Sequence, residues 1–210
     1  MNKKDRAYQL LKTAIISGNL DAGGIYTLSD LSKMTETSST PTREALLSLE
    51  SEGLIEPIPR TGYMITPITI RDVLELFHLR KILEGEAIRL AAERITNENI
   101  QLLEQNNQKE SQLAAQEVQE TDLDDYASAY RLNREFHLII AHASGNLRLE
   151  RLIGKLLVEM ERIFAKDPLV AYPQQHLAII EALKNHNKKA AGKAMVDHIE
   201  NTKRRLIERF

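Results

Sequence analysis

A chain of 210 residues with 42% hydrophobic and 28% charged side chains is long enough for two domains with real cores, and too apolar for wholesale disorder. The absence of cysteine removes disulfides, thiolate nucleophiles and cysteine-based zinc sites, and fits a reducing cytoplasm. No apolar run approaches the ~18 residues that span a bilayer, and MNKKDRAYQL has no apolar segment behind its lysines. A soluble cytoplasmic protein with no membrane association is expected.

In chain order, residues 5–17 set Ala7, Leu10, Leu11, Ala14 and Ile15 on one helical face that ends at Gly18. A turn from Asn19 to Tyr26 leads to a second short helix, capped by Thr27 or Ser29 and apolar at Leu28, Leu31 and Met34. Thr35 to Ser39 form a tight polar turn. A third helix follows, with Thr40 as N-cap, Pro41 in its first turn, and Ala45, Leu46 and Leu49 at helical spacing. Two extended pieces, Leu54-Ile55 and Tyr63–Ile65, flank Pro57, Pro59 and a basic tip at Arg60-Thr61-Gly62. Three helices and a basic-tipped ribbon in under 70 residues make a winged helix-turn-helix, a reader of double-stranded DNA.

Charge qualifies that reading. Residues 1–69 hold seven Lys/Arg against eight Asp/Glu, a balance of −1. Phosphate neutralisation drives DNA affinity, so the basic footprint must be local, on Lys3, Lys4, Arg43 and Arg60. Modest affinity per chain, and hence a dimer, is expected.

Thr66–Thr69 has the bias of a linker, and beyond it the texture changes: residues 70–210 hold only four glycines and two prolines. Helical periods run at about 70–94, 97–120, 122–143, 146–165, 172–185 and 187–209, with no strand pattern. The fold class is mainly α: a winged helix at 1–69 and an all-α antiparallel bundle of about six helices at 70–210.

The stretches AYQLLKTAIISGNLDAGG, LSDLSKM, TPTREALLSLESEGLI and PRTGYMI resemble the winged helix of the GntR family of bacterial transcription regulators. FHLRKILEGEAIRLAAER, LNREFHLIIAHASGN and HLAIIEALKNHNKKAAGKAMVDHI resemble the FCD-type ligand-binding domain of its FadR branch, the six helices being similar to the VanR-like subgroup. The resemblance covers essentially the whole chain. It implies a ligand-responsive regulator, a homodimer acting on operator DNA and answering to a small carboxylate, and not an enzyme.

Arg43 matches the family's recognition-helix arginine, and a guanidinium can grip guanine O6 and N7 or hold a phosphate. The alternative is a surface arginine paired with an acid. Ser38 and Thr40 match phosphate-contacting hydroxyls, and Gly62 the wing tip near the minor groove. Ser29 and Ser39 stand where the family often has further arginines. Arg60 either compensates or is a solvated turn residue.

Asn133 and His137 lie one turn apart on a helix, and His176 and His198 each sit in an apolar stripe of a later helix. A lone buried histidine is ordinarily a hydrogen-bonded core residue. The four together resemble the branch's pattern for a divalent metal ion, here zinc, nickel or manganese. That pattern usually opens on Asp; the neutral Asn133 predicts weaker metal binding and greater dependence on an anionic effector. His78, His142 and His186 read as surface or cap residues.

A hydrolytic metal site would want a nearby carboxylate base. In sequence the nearest acids are Glu135, facing away from His137, and Asp197 beside His198, which speaks against an enzyme. Arg80 matches a family arginine suited to an effector carboxylate; its alternative is an intrahelical pair with Glu84. Asn201, one turn past His198, is a second effector candidate or a surface residue. The remaining rival is a DNA-binding regulator whose bundle only dimerises, with leucines such as Leu74 and Leu79 beside Leu76 and Phe77 in excess of one face.

Overall fold

The computed structural model describes the backbone of residues 2–115, 123–164 and 173–208, and side chains over 2–113, 128–164 and 174–208. The expected helix breaks at Thr121-Asp122 and Asp167-Pro168, and the end of the helix expected to reach residue 120, lie outside the described residues. Contacts divide the chain into two units, Met1–Ile68 and Thr69–Phe210.

In the first unit, α1 (Lys3–Ile16) is capped by the Asn2 side chain, which accepts from the Asp5 backbone N–H at 2.8 Å. α2 (Leu28–Thr35) opens on a reciprocal capping box between Thr27 and Asp30. α3 (Ser39–Ser51) takes Ser38, not Thr40, as its N-cap, so Thr40 belongs to the first helical turn. The residue before a proline is biased away from helical backbone, but Pro41 here sits inside the first turn, where its missing N–H is harmless. The inward faces bury Ala7, Leu11, Leu31, Ala45, Leu46 and Leu49 in one core with Ile55 and Ile65.

The ribbon is a three-stranded antiparallel sheet in the order β1-β3-β2, where β1 is Ile25–Tyr26, β2 Ile55–Ile58 and β3 Gly62–Ile65. The short β1, inside the expected turn, pairs Ile25 with Met64 and Tyr26 with Tyr63. That pairing explains Gly62. With φ at 155°, a Cβ added there would lie 2.3 Å from the Tyr26 carbonyl oxygen.

The second unit has helices joined by short turns and no strand among its described residues. α4 (Ile70–Arg94) begins on a capping box between Thr69 and Asp72. α5 (Asn97–Ala115), α6 (Leu123–Ala143), α7 (Leu147–Phe164), α8 (Pro173–Lys184) and α9 (Lys188–Ile207) follow. α4 packs chiefly on α9 and also on α6 and α7, while α5 packs on α6 and α8. Leu76 and Phe77 are buried, whereas Leu74, Leu79 and Ile82 of the same helix are about half exposed at 45%, 45% and 53%. No described helix is long and apolar enough to cross a membrane.

Gly62→Ala is expected to destabilise the first unit by more than about 1 kcal/mol, because both its backbone angle and the Tyr26 carbonyl oppose a side chain. Urea unfolding followed at the tyrosines measures this; an unchanged midpoint would contradict the close-approach account.

Candidate functional site

Three histidines converge inside the bundle. His137 comes from α6, His176 from α8 and His198 from α9, and all three are buried. One ring nitrogen from each lies within 4.8 Å of the others. The sequence folds this way because each imidazole occupies an inward position of its helix: Phe136 and Ile140 flank His137, Ile179 and Ile180 follow His176, and Met195 and Ile199 bracket His198. Phe136 stacks on His176 with ring centroids 3.9 Å apart and planes within 7°, fixing that ring's orientation. His198 Nε2 lies 3.2 Å from His137 Nε2, a hydrogen-bond distance at which one ring donates and the other accepts. Asn133 is half-buried, with its amide nitrogen 3.4 Å from His176 Nε2.

Behind these rings stand two carboxylates that sequence adjacency did not point to. Glu110 of α5 is fully buried and places Oε2 2.8 Å from His176 Nδ1. Glu84 of α4 holds Oε2 in close contact with His137 Nδ1. Its Oε1 accepts from Arg80 Nε at 2.5 Å. The expectation that Glu135 and Asp197 are the acids nearest the histidines is therefore corrected. The nearest acids come from other helices, yet they face Nδ1, away from the side on which the ring nitrogens meet. They orient rings rather than offer a base to that space.

The electrostatics favour the neutral form of two of the imidazoles, His137 and His198. Burial pushes His137 down, with Glu84 opposing, and burial together with the neighbouring His176 holds His198 well below the usual histidine range. Burial alone would raise the Glu84 carboxyl, but the Arg80 guanidinium and then His137 more than reverse this, leaving it at about 2. Glu84 is thus an anion beside a neutral ring and a cation. Neutral imidazoles present the lone pairs that a metal requires.

Arg80 realises its i, i+4 alternative, since the pair with Glu84 forms and is buried. Its Nη2, however, has no hydrogen-bond partner among the described residues, and neither do Glu110 Oε1 and His198 Nδ1. Asn201 is half-buried on α9, three residues beyond His198. His78 is exposed, His142 is exposed beside Glu150, and His186 sits at the α8–α9 turn with Nδ1 2.9 Å from the Ala92 carbonyl. None of these three joins the cluster.

In the first unit, Ser38, Thr40 and Arg43 are all exposed at the N-terminal end of α3. Arg60 is exposed at the tip of the β2–β3 hairpin in a left-handed conformation, φ 64°. Gly62 is half-buried against β1. The turn before α3 is braced by hydroxyls: Thr35 and Thr37 are 2.8 Å apart, as are Thr37 and Thr42, and Thr42 donates to the Ser38 carbonyl at 3.0 Å. This brace sets the angle at which α3 leaves α2.

Two comparisons cover these units separately. The family model for bacterial regulatory proteins of the gntR family matches residues 3–65, and that for the FCD domain matches residues 75–201. The chain belongs to the GntR family. This GntR-family chain is 30% identical to the Uxu operon regulator of Haemophilus influenzae, over 97% of this chain and 81% of that protein. It is 26% identical to the transcriptional repressor RspR of Escherichia coli, over 92% and 84% of the two chains. Among solved structures, E. coli McbR/YncC superposes with a TM-score of 0.77 at 23% identity, covering 100% and 99%, which establishes the fold. The GntR-family chain is a DNA-binding transcriptional regulator, and its family and relatives are regulators rather than enzymes.

Glu84→Ala leaves the buried Arg80 without its counter-charge and is expected to destabilise the second unit by about 3–5 kcal/mol. Thermal or denaturant unfolding reads this directly; a loss under about 1 kcal/mol would mean that the pair is not closed off from water.

Proposed function

We propose that this regulator binds operator DNA as a homodimer and senses a small carboxylate at a metal centre formed by His137, His176 and His198, with Asn133 beside them. The observation that carries the reading is the convergence of three buried imidazole nitrogens within 4.8 Å. The donor set fits a divalent ion of the zinc, nickel or manganese type, for which neutral imidazole is a preferred ligand. Arg80 Nη2, a buried donor without a hydrogen-bond partner among the described residues, accords with a site that expects a further occupant. A bound divalent cation supplies positive charge and open positions that attract an anion.

This chain's residues account for the rest. Arg80 offers the Nη2 that its Glu84 pair does not use, and Asn201 stands within one turn of His198 to hydrogen-bond the same ligand. Occupation of the site favours one arrangement of α4, α6, α8 and α9 over another, a shift in population rather than a chemical step. On DNA, Arg43 reads a base edge or holds a phosphate, Ser38 and Thr40 contact phosphates, and Arg60 and Gly62 form the wing tip. Two recognition helices in a dimer must meet major grooves about 34 Å apart, so a small rotation is enough to alter affinity. The half-exposed Leu74, Leu79 and Ile82 suit a subunit contact. The names of the relatives, one an operon regulator and one a repressor, favour repression.

Protein purified without an affinity tag is expected to carry close to one divalent ion per chain, or to regain it on titration after chelation, as measured by elemental analysis. No metal in either case would leave the histidines as core residues of a dimerising bundle. Arg43→Ala is expected to weaken binding to the natural operator by about 1–3 kcal/mol, measured by fluorescence anisotropy. Wild-type affinity in that variant would remove Arg43 from the interface.

A further inference from the structure

The two carboxylates beside the histidines are not equally partnered. Three imidazoles and Asn133 bring no negative charge of their own, and Glu84 is paired with Arg80 at 2.5 Å. Glu110 remains. It is 0% exposed, and among the described residues its side-chain hydrogen-bond partner is His176 Nδ1, at 2.8 Å. Its second oxygen, also buried, accepts nothing among them. A carboxylate in a low-dielectric interior is costly unless it is paired and hydrogen-bonded. Nothing in the core's packing calls for it, since α5 lays Ile100 and Leu103 on the same inward stripe with no charge.

We propose that Glu110 is the positioning and charge-balancing residue of the metal centre, accepting the His176 Nδ1–H so that Nε2 faces the other two imidazoles, and supplying the negative charge that the ligand set lacks. The inference rests on the metal reading above. The geometry fits both roles. With Nδ1 donating to Glu110, His176 has its lone pair on Nε2, the atom that the Asn133 amide already approaches at 3.4 Å. The stacked Phe136 ring holds the imidazole plane in place. A carboxylate behind a ligating histidine raises the ring's basicity as well as fixing its tautomer, and a partner of this kind is worth about 10- to 100-fold in metal affinity. The charge-balancing role falls to Glu110, because Glu84 gives its charge to Arg80, and His198 Nδ1 has no acceptor among the described residues.

The test uses the full chain, titrated with zinc, nickel or manganese ion alone against a chelating dye. Glu110→Gln keeps an acceptor of the same shape and removes the charge; it is expected to bind metal about 10- to 100-fold more weakly than wild type, with no fall in its metal-free melting temperature. Adding Asn133→Asp to that variant restores a negative charge at the site and is expected to recover most of the affinity. A purely structural Glu110 predicts the opposite: a lower metal-free melting temperature, unchanged affinity and no rescue. If wild type binds metal and Glu110→Gln binds it equally well, the inference is overturned and the metal centre stands. If wild type itself binds no metal, the metal centre is what fails. An independent readout needs no variant: long-range proton–nitrogen spectra of the metal-free wild type are expected to place the His176 proton on Nδ1, and a proton on Nε2 would overturn the assignment.

Discussion

A run of buried polar contacts holds the second unit's interior together: Arg80 to Glu84, Glu84 to His137, His137 to His198, and His176 to Glu110, with the His176 and His198 rings 4.8 Å apart. It touches five helices, α4, α5, α6, α8 and α9, and each supplies at least one group that water cannot reach. Such a network is not the cheapest way to fill a core. Leucine and phenylalanine of similar volume would pack as well, without the desolvation of two carboxylates and a guanidinium, and replacements of that kind are often neutral or stabilising. Once present, though, the network binds its members to one another, because removing one strands the next in a medium where unpaired charge is expensive. The bundle's geometry is therefore pinned at the histidine cluster.

The winged unit was largely legible because its punctuation is local. Thr27 and Asp30 stand three residues apart ahead of an apolar run, Gly18 and Gly53 follow the ends of helical periods, and the capping box of α2 satisfies backbone donors with neighbours in sequence. What escaped was non-local. β1 has only two residues, too few for any alternation, and exists because β3 lies beside it. Ser38 displaced Thr40 as N-cap because the four consecutive hydroxyl residues Thr37–Thr40 look alike until the backbone turns.

The site divides along the same line. Three histidines and Asn133 stood out as polar residues on inward helical stripes, and the fold brings them together. Glu84 was visible only as the i+4 partner of Arg80, not as a neighbour of His137, since that contact closes a gap of 53 residues. Glu110 had a signal that adjacency concealed. The buried stripe of α5 runs Ile100, Leu103, Asn106, Asn107 and Glu110, with a helical period that continues after the residues turn polar. A stripe that keeps its period while losing its hydrophobicity marks a polar interior rather than the edge of a core.

Arg80 shows why the two readings of that residue need not compete. A guanidinium has five donors in a rigid fork, and the ion pair with Glu84 takes Nε while Nη2 stays without a partner among the described residues. An anion reaching Nη2 meets a charge already held in place by Glu84 and by the Phe77 ring, whose centroid lies 5.6 Å away. In the proposed switch the consequence falls on α4. Arg80 stands ten residues into that helix, about 15 Å along it, and the helix starts at the boundary where the first unit ends. Its first turn is locked by the Thr69–Asp72 box rather than frayed. In that proposal a displacement at Arg80 is carried along a continuous helix toward Thr69, where the chain leads on from the first unit.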